Sequence, residues 1–258
     1  MAELPVGAHV SGTDPLAIAA ELEADCVQVF LSDPQGWEKP PPRDDAAELR
    51  DSPIGLYVHA PYLSNVCSPK PNIRHGSRKI LTQTCEAAAA VGAIAVIVHP
   101  GHSDDGIDEG VARWTSTLER LESEVPVYLE NTAGGEHAVA RRFDALAKLW
   151  EAVGAAKTSV EVGFCFDTCH AHAAGEELSD AIERVRAIVG KIDLVHANDS
   201  RDEAGTGADR HANIGDGHIP PELLRKMIAD AQAPTVVETP REIEALRADM
   251  KFCREALG

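Results

Sequence analysis

Short runs rich in Val, Ile and Phe alternate along this chain with longer segments rich in Ala, Leu, Glu and Arg. The short runs have the composition of buried strands, and the longer segments carry apolar residues at helical spacing. Strands that are nearly all apolar and are each followed by a helix are typical of a parallel sheet covered by helices. Eight such units close into a barrel. We therefore expect an α/β fold, a (β/α)8 TIM barrel, with a single domain over residues 1–258.

The boundaries of these segments follow from composition and from Gly, Pro and capping residues. Asp108 and Ser179 are predicted to cap helices, and Pro220 suits a first helical turn. The predicted strands are residues 6–10, 26–31, 55–60, 95–99, 127–130, 163–167, 192–196 and 235–238. The predicted helices are residues 14–24, 44–50, 77–91, 108–123, 138–153, 179–189, 220–231 and 241–256.

Charge is strongly unbalanced in this chain, with 24 basic and 42 acidic residues and a net charge of −18. Such a balance by itself argues against a polyanionic partner such as DNA. Local charge can differ, because Lys70, Arg74, Arg78 and Lys79 cluster just beyond the third predicted strand. Divalent ions bound nearby would add positive charge to an acidic protein.

The chain lacks the features of an exported or membrane protein. No N-terminal stretch combines basic residues, an apolar run and a small-residue cleavage site, and the longest apolar segment, residues 87–98, is too short to cross a bilayer. We expect no membrane association and a cytoplasmic location, associated with the nucleoid if the source is bacterial. The cysteines show no framework spacing, so we expect free thiols. They are Cys26, Cys67, Cys85, Cys165, Cys169 and Cys253.

Metal-binding side chains end six of the eight predicted strands. In TIM barrels the carboxyl ends of the strands form the active site, so these side chains are expected to converge there. His170 follows three residues after the sixth strand, and a glycine-bounded loop adds Asp209 and His211. The strand-end residues are His59, His99, Glu130, Asp167, His196 and Glu238.

Such a cluster suits a site with several metal ions. Two imidazoles and one carboxylate on adjacent strands make an open Zn²⁺ site: His59, His99 and Glu130. If Glu130 reaches across, a second bridged site follows with Asp167, His196 and Glu238. A bridged pair of ions lowers the pKa of a shared water for attack at phosphorus. A third site would use His170, Asp209 and His211.

Structural explanations exist for each residue taken alone. A histidine at a strand end is more often a hydrogen-bonded structural residue, and Glu130 or Glu238 could form a buried salt bridge. Convergence of nine such residues on one rim favours metal binding. His9 is either a residue that orients a ligand or a core histidine. Cys165 and Cys169 are expected to pack rather than to bind metal.

Long motifs give the chain a family resemblance. It resembles the endonuclease IV family of zinc-dependent apurinic/apyrimidinic (AP) endonucleases over nearly its whole length. The motifs are Gly7-Ala8-His9-Val10-Ser11, His59-Ala60-Pro61-Tyr62-Leu63, His99-Pro100-Gly101, Glu130-Asn131-Thr132-Ala133-Gly134, Asp167-Thr168-Cys169-His170-Ala171, His196 with Asn198-Asp199-Ser200, Asp209-Arg210-His211, Ile214-Gly215-Asp216-Gly217 and Glu238-Thr239.

The resemblance implies a DNA-repair hydrolase with three zinc ions, with Mn²⁺ as an alternative in one or more sites. Such an enzyme cleaves duplex DNA 5′ to an abasic site, leaves a 3′-hydroxyl and a 5′-deoxyribose phosphate, and uses a metal-bridging hydroxide as nucleophile. A 3′-phosphodiesterase activity could accompany it. A monomer is expected, because the active rim must face a duplex. The implied ligands of the three ions are His59, His99 and Glu130; Glu130, Asp167, His196 and Glu238; and His170, Asp209 and His211.

The resemblance also implies other roles. Glu130, Asp167 and Glu238 would be the catalytic carboxylates. Tyr62 could wedge or stack in DNA, although an ordinary rim tyrosine is the alternative. The family commonly places an arginine and a glutamine after the second strand, whereas this chain has Asp33-Pro34-Gln35-Gly36-Trp37. Gln35 and Arg210 are therefore the remaining candidate DNA contacts.

Two other functions fit part of the pattern. Sugar isomerases and epimerases of the xylose-isomerase-like barrels also use His, Asp and Glu at strand ends, but the residues of a third site favour the nuclease. The other alternative is a non-catalytic barrel that binds zinc or DNA. Cleavage of an abasic duplex would exclude it.

Overall fold

Eight parallel strands close into a barrel in a computed structural model that describes residues 3–240 and 242–258. Each strand pairs with its neighbour along the chain, and the last barrel strand closes against the first. A separate antiparallel pair of two-residue strands lies after the seventh barrel strand. The predicted TIM barrel is therefore confirmed. The strands are β1 (Val6–His9), β2 (Cys26–Val29), β3 (Gly55–His59), β4 (Ala95–Val98), β5 (Val127–Glu130), β6 (Val162–Asp167), β7 (Leu194–His196), β8 (Asp199–Ser200), β9 (His211–Ala212) and β10 (Thr235–Val237).

Helices follow the barrel strands and bury their apolar sides against the sheet. In the first of them Asp14 caps the N-terminus by accepting a hydrogen bond from the Ala17 amide at 3.2 Å, and Pro15 occupies the first turn. The helices are α1 (Pro15–Leu22), α2 (Ala46–Asp51), α3 (Pro71–Ala90), α4 (Ile107–Leu118), α5 (Phe143–Ala155), α6 (Thr168–Ala174), α7 (Ala181–Val189), α8 (Pro221–Ala231) and α9 (Ile243–Leu257).

A layer of buried side chains fills the barrel interior beneath the strand ends. Successive residues of a strand point to opposite faces, so residues two apart share a face. Most members of this layer stand two residues before a polar residue at the carboxyl end of the same strand. Tyr57 precedes His59 in this way, and Tyr128 precedes Glu130. The layer consists of Cys26, Tyr57, Ala95, Ile97, Tyr128, Cys165, Leu194 and Val236.

Several predicted boundaries were wrong. Helix α3 starts at Pro71 rather than residue 77, because a proline suits the first turn and extends the helix over six more residues. Helix α5 starts at Phe143 rather than residue 138, since residues before it form turns. The residues at the caps of α4 and α7 are Gly106 and Asp180, not Asp108 and Ser179. Pro220 precedes α8 as its cap residue.

Other differences concern short elements. Helix α6 was not predicted, because it begins directly where β6 ends and has only seven residues. The β8 and β9 pair was also missed, since two-residue strands leave no periodic pattern. The predicted strand ends extend one or two residues beyond several observed strands. Residue 241, the predicted start of the last helix, lies outside the described residues.

Two expectations about the whole chain can be compared with the structure. Among the described residues, no helix combines the length and the apolar composition needed to cross a membrane. All six cysteines are buried and unpaired, which confirms the prediction of free thiols.

Gly7 should be intolerant of any side chain. A Cβ atom at this position would lie 1.7 Å from the backbone oxygen of Cys26 on β2. We expect Gly7→Ala to lower the free energy of unfolding by about 3 kcal/mol, because the backbones of β1 and β2 would have to separate. Chemical denaturation would measure the change.

Gly154 provides the matched control, since it lies in α5 and a Cβ there meets nothing within 4 Å. Gly154→Ala should instead raise stability by about 0.5–1 kcal/mol. Equal stability of Gly7→Ala and the parent protein would contradict the close approach of the two strands.

Candidate metal centre

Glu130 stands at the centre of the cluster that forms on the carboxyl edge of the barrel. It is the last residue of β5, and its side chain is fully buried. Its Oε2 atom lies 3.2 Å from Nε2 of His59 and 3.0 Å from Nε2 of His99. The structure thus brings together the three predicted ligands of the first ion.

The other oxygen of Glu130 faces a second group of ligands. Oε1 lies 2.9 Å from Nδ1 of His196, and the same nitrogen lies 3.2 Å from Glu238 Oε2 and 4.0 Å from Asp167 Oδ2. The strand pairing of β6 with β7 sets Asp167 directly beside His196. One carboxylate therefore spans two ligand groups with one oxygen toward each, which is the arrangement expected of a bridging ligand.

The third predicted group forms where α6 meets the loop before β9. Nε2 of His170 lies 3.1 Å from Asp209 Oδ1, and Nε2 of His211 lies 3.2 Å from the same oxygen. Asp167 joins this group from β6, 3.8 Å from Nε2 of His211. Asp167 also caps α6 by accepting a hydrogen bond from the His170 amide at 2.6 Å, which fixes where His170 stands.

The donor atoms of these residues are close enough to share ions. Four groups of at least three His, Cys, Asp or Glu donors lie within 4.8 Å of one another among the described residues. One of the groups includes Cys165, which also belongs to the buried layer that fills the barrel interior. Because carboxylate and imidazole donors already surround it, we attribute Cys165 to packing. Residues of the other three groups are His59, His99 and Glu130; Asp167, His170 and His211; and Glu130, Asp167, His196 and Glu238.

Hydrogen bonds at the rear of each ring aim the histidines at the cluster. Nδ1 donates to a backbone oxygen in His59 (Ala60, 2.7 Å), in His170 (Asn131, 2.8 Å) and in His211 (Glu238, 3.2 Å). This arrangement leaves Nε2 to face the cluster, and it is the usual outer-shell pattern of metal-bound histidines.

Two of these nitrogens have no hydrogen-bond partner among the described residues. Nε2 of His170 and Nε2 of His211 are buried and unsatisfied, although Asp209 Oδ1 lies close to both. Buried polar atoms are rarely left unpaired. The two nitrogens and Asp209 Oδ1 face a common space, and imidazole with carboxylate suits Zn²⁺ or Mn²⁺. The residues therefore fit a bound cation.

The carboxylates differ in their electrostatic setting. Burial opposes ionisation of Glu130, but the charges of His196 and His99 outweigh it and hold its pKa well below the ordinary value. The pKa of Glu238 is lowered in the same way, where burial is outweighed mainly by His196. Burial dominates at Asp167 and raises its pKa. Without a cation, protons on the neighbouring imidazoles compensate this negative charge.

Those imidazoles hold protons tightly. Burial lowers the pKa of His196, but Glu238 and Glu130 outweigh it and raise the value to about 9. Burial at His211 is likewise outweighed by Asp209 and Asp167, and the pKa rises to about 9. A cation must replace such protons, since metals bind neutral imidazole.

Sequence reasoning missed Gln28, which lies inside the barrel at the end of β2. Its Nε2 donates to Glu238 Oε1 at 2.6 Å, and its Oε1 accepts from Nε2 of His196 at 2.9 Å. His9 belongs to the same network, with Nδ1 3.2 Å from Glu238 Oε1 and 3.0 Å from Gln28 Nε2. This position favours the first of the two predicted roles for His9. A polar residue inside the apolar run Cys26-Val27-Gln28-Val29 was the available signal.

Two asparagines directly after strands were also missed as positioning residues. Asn198 donates to Asp167 Oδ2 at 2.7 Å and accepts from the Glu238 amide at 2.7 Å, so it joins β6 to β10. Asn131 pairs with the backbone of Asp167 through both ends of its amide, at 2.8 and 2.9 Å. Both fix the spacing of candidate ligands from different strands.

The loop that carries Asp209 and His211 is anchored by buried acids. Asp199 accepts from the amides of residues 215, 217 and 219 at 2.9–3.1 Å. Asp249 of α9 accepts from Asn213 at 2.7 Å and from Thr239 at 2.6 Å. Glycines at 205, 207 and 215 have φ values of +79°, +72° and +94°, which other residues rarely adopt. These glycines allow the loop backbone to turn and present Asp209 and His211.

The predicted DNA contacts lie in three different settings. The ring of Tyr62 is 48% exposed and stands 5.3 Å from the His59 ring, at the mouth of the cluster. Gln35 is exposed in a turn, where its amide donates to Asp33 Oδ1 at 2.9 Å. Arg210 is exposed and bonds Asp202, with Nε 2.7 Å from Oδ2. Of the three, Tyr62 borders the ligand cluster.

An open cleft of about 270 Å³ gives access to the cluster. Tyr62 forms one wall, and candidate ligands form the floor. The lining residues are Tyr62, His99, His170, Asp209, His211 and Glu238.

Comparison with known proteins places this arrangement in a family. A family model described as a xylose isomerase-like TIM barrel matches residues 16–256. The chain is 56% identical over 255 residues to "Probable endonuclease 4" of Mycobacterium bovis (strain BCG / Pasteur 1173P2), covering 98% of this chain and 99% of the relative. The protein of the same name from Mycobacterium marinum is 54% identical with the same coverage. The chain belongs to the endonuclease IV family.

Solved structures agree with membership of the endonuclease IV family. The crystal structure of endonuclease IV from Thermus thermophilus has a TM-score of 0.80, 28% identity and 98% coverage of both chains. A D-tagatose 3-epimerase-like protein has a TM-score of 0.77 at 21% identity, covering 98% of this chain and 97% of that one. At that identity the second likeness shows the fold alone.

Gln28 should matter for metal affinity. Gln28→Leu keeps the side-chain volume but leaves His196 Nε2 and Glu238 without their common partner. We expect Zn²⁺ affinity to fall by about 10- to 100-fold, the usual effect of losing an outer-shell hydrogen bond. Competition with a chromogenic chelator would measure it.

Gln83→Leu is the control, because Gln83 lies on α3 away from the cluster. It should leave Zn²⁺ affinity unchanged. If Gln28→Leu bound Zn²⁺ as tightly as the parent protein, the proposed positioning role would be refuted.

Proposed function

We propose that this protein is a DNA-repair AP endonuclease of the base excision pathway. It hydrolyses the phosphodiester 5′ to an abasic site in duplex DNA and leaves a 3′-hydroxyl and a 5′-deoxyribose phosphate. The observation that carries the proposal is the third ligand group, His170, Asp209 and His211, standing beside two groups that share Glu130. Membership of the endonuclease IV family supports the reaction class.

The proposed cofactor is a set of three divalent cations, Zn²⁺ with Mn²⁺ as an alternative. Bound at this rim, such ions would lower the pKa of a water and neutralise the charge that develops on the phosphate. Their proposed ligands are His59, His99 and Glu130; Glu130, Asp167, His196 and Glu238; and His170, Asp209 and His211.

The catalytic carboxylates Glu130, Asp167 and Glu238 act through their positions. Glu130 is held between two histidine groups, and the interior layer beneath it closes the barrel to water from below. Asn198 ties Asp167 to the backbone of Glu238, so these carboxylates keep a fixed separation. Donors fixed before the substrate arrives need no reorganisation during reaction.

Substrate selection follows from the cleft. An abasic nucleotide has no base to unpair, so turning it out of the duplex costs less than turning out a normal nucleotide. A cleft of about 270 Å³ beside Tyr62 suits a sugar and phosphate without a base. Tyr62 is proposed to stack against the DNA next to the lesion, while Gln35 and Arg210 are proposed as outer contacts.

The same site could remove 3′-blocking groups, since the same phosphodiester hydrolysis at a strand end is a 3′-phosphodiesterase activity. We further propose that the protein acts as a monomer. Its proposed location is the cytoplasm, where it would act on nucleoid DNA in a bacterium. A sugar isomerase or epimerase needs one or two cations, so the third ligand group favours the nuclease.

Glu130→Gln should abolish most incision. The variant retains the shape of the side chain but lacks the charge that faces His59, His99 and His196. We expect the rate of incision of an end-labelled duplex with one tetrahydrofuran abasic analogue to fall by about 100- to 1,000-fold or more. A chelator should stop the parent protein, and a 3′-hydroxyl product would show hydrolysis, because the analogue cannot undergo β-elimination.

Glu136→Gln is the matched control, since Glu136 is exposed in the following loop. It should incise at the parental rate. Absence of incision by the metal-loaded parent protein would refute the nuclease proposal and leave sugar substrates or a non-catalytic barrel.

Tyr62 should contribute to binding more than to chemistry. Tyr62→Ala is expected to weaken binding of the abasic duplex by about 1–3 kcal/mol, because it removes a stacking ring, while Tyr62→Phe keeps the ring and should bind normally. Fluorescence anisotropy would give both affinities. Equal binding by Tyr62→Ala would assign Tyr62 to the rim structure.

A further inference from the structure

Acidic residues are absent from one long stretch of the chain. Residues 52–85 contain no aspartate or glutamate, although the chain has 42 acidic residues among 258. The stretch runs from β3 through the loop with Tyr62 into α3. It carries three cations, one at the cap of α3 and two within the helix, that we term the α3 cationic face: Lys70, Arg74 and Arg78. The net charge of −18 therefore does not describe the surface beside the metal centre.

The α3 cationic face begins at the rim that carries the candidate ligands. Helix α3 follows β3, so its first turn lies at the carboxyl edge of the barrel. Lys70, Arg74 and Arg78 are spaced by four residues and share one side of the helix. They extend about 12 Å along the helix axis, away from His59 and Tyr62. The first of these cations therefore lies at the same edge of the barrel as the cleft.

The cations of this face have no carboxylate partner in the described part of the chain. Arg74 donates to the backbone oxygens of Ser68 at 2.8 Å and Pro69 at 3.0 Å, which orient the guanidinium without neutralising it. Arg78 donates to Thr117 Oγ1 at 2.9 Å. Its pKa is lowered by burial and by the positive charges of Arg120 and Arg74.

Most other surface cations, by contrast, contact a carboxylate. Lys148 lies 2.7 Å from Asp108, and Lys226 and Arg210 also contact carboxylates. Uncompensated cations held near one another repel, which costs stability. Their retention in one place indicates a partner with negative charge.

An exposed aromatic ring lies against the same helix. Trp37 is 46% exposed, and a Cβ atom on Gly76 would lie 3.3 Å from its ring. Trp37, Asn72, Lys79 and Gln83 line a shallow cleft of about 410 Å³ on another side of α3 from Arg74 and Arg78. Aromatic rings beside cations are typical of nucleic-acid-binding surfaces.

We propose that the α3 cationic face binds the phosphate backbone of duplex DNA on one flank of the lesion. The identity of this partner rests on the proposed nuclease function. Duplex DNA carries one negative charge per about 1.7 Å, so a face about 12 Å long meets several phosphates. A duplex held at the metal centre already places its flank near this surface, because the face starts at the rim. The contact offsets the repulsion that an acidic protein exerts on DNA.

The test uses Lys70→Gln in the metal-loaded protein. Lys70 is exposed, so its loss should not affect folding. The control is Lys157→Gln, which removes the same charge from an exposed lysine that follows α5 at the opposite end of the barrel. Fluorescence anisotropy would measure affinity for abasic and intact duplexes of about 30 base pairs between about 50 and 200 mM salt, the range over which phosphate contacts change affinity most visibly.

We expect the α3 variant to bind both long duplexes about 5-fold more weakly, and its slope of log K against log salt to be smaller by about one. Shortening the duplex on one flank should remove the difference from the parent protein, and shortening the other flank should not. The incision rate at saturating DNA should stay unchanged.

Three outcomes would overturn the proposal. The first is parental affinity and slope in the α3 variant, and the second is an equal loss in the control variant. The third is a variant that loses binding to poly-glutamate but not to DNA, which would assign the face to an acidic protein. If the parent protein binds long duplexes through this face but incises none of them, the proposed nuclease function is refuted and the proposed DNA-binding surface is not.

Discussion

The buried carboxylate of Glu130 is the contact on which the site depends. One of its oxygens faces His59 and His99, and the other faces His196. A carboxylate with no exposure is costly unless it is paired, and here cations or protonated imidazoles must compensate it. The surrounding histidines therefore cannot move independently, and the strands that carry them are held in register by the same requirement.

The barrel holds the residues around Glu130 in place in two ways, through the alternation of side chains along each strand and through the closure of the sheet. Interior side chains such as Tyr57 and Tyr128 stand two residues below candidate ligands and support them from beneath. Outer hydrogen bonds from Gln28 and Asn198 connect ligands of different strands. Asp167, His196 and Glu238 are thus fixed both from below and from the side, which suits a site that must bind cations before it binds a substrate.

Charge is also distributed unevenly over the surface of the protein. The chain is acidic overall, yet residues 52–85, which include Tyr62 and most of α3, lack acidic residues, and the proposed cations would add positive charge at the cleft. An acidic protein can in this way meet a polyanion through one face while the remaining surface repels it. Local placement, not net charge, then decides which partner is bound.

The sequence by itself determined the barrel and the candidate ligands. Strand-length apolar runs followed by helices fix the fold class, because the period of apolar residues depends on local geometry. Placing His59 or Glu130 at a strand end predicted their convergence, since parallel strands share one edge. Helix α6 and the β8 and β9 pair were not predictable, because elements this short leave no period.

Only the tertiary structure decided how the ligands are divided and held. That Glu130 turns one oxygen to each side, and that Asp167 stands between two groups, depends on distances of a few ångströms between strands far apart in sequence. Gln28 acquires its role from contacts with Glu238 and His196, which are 210 and 168 residues away. Sequence carries the identity of each donor, but only barrel closure sets which donors meet, because pairing between distant segments is a property of the whole packed chain.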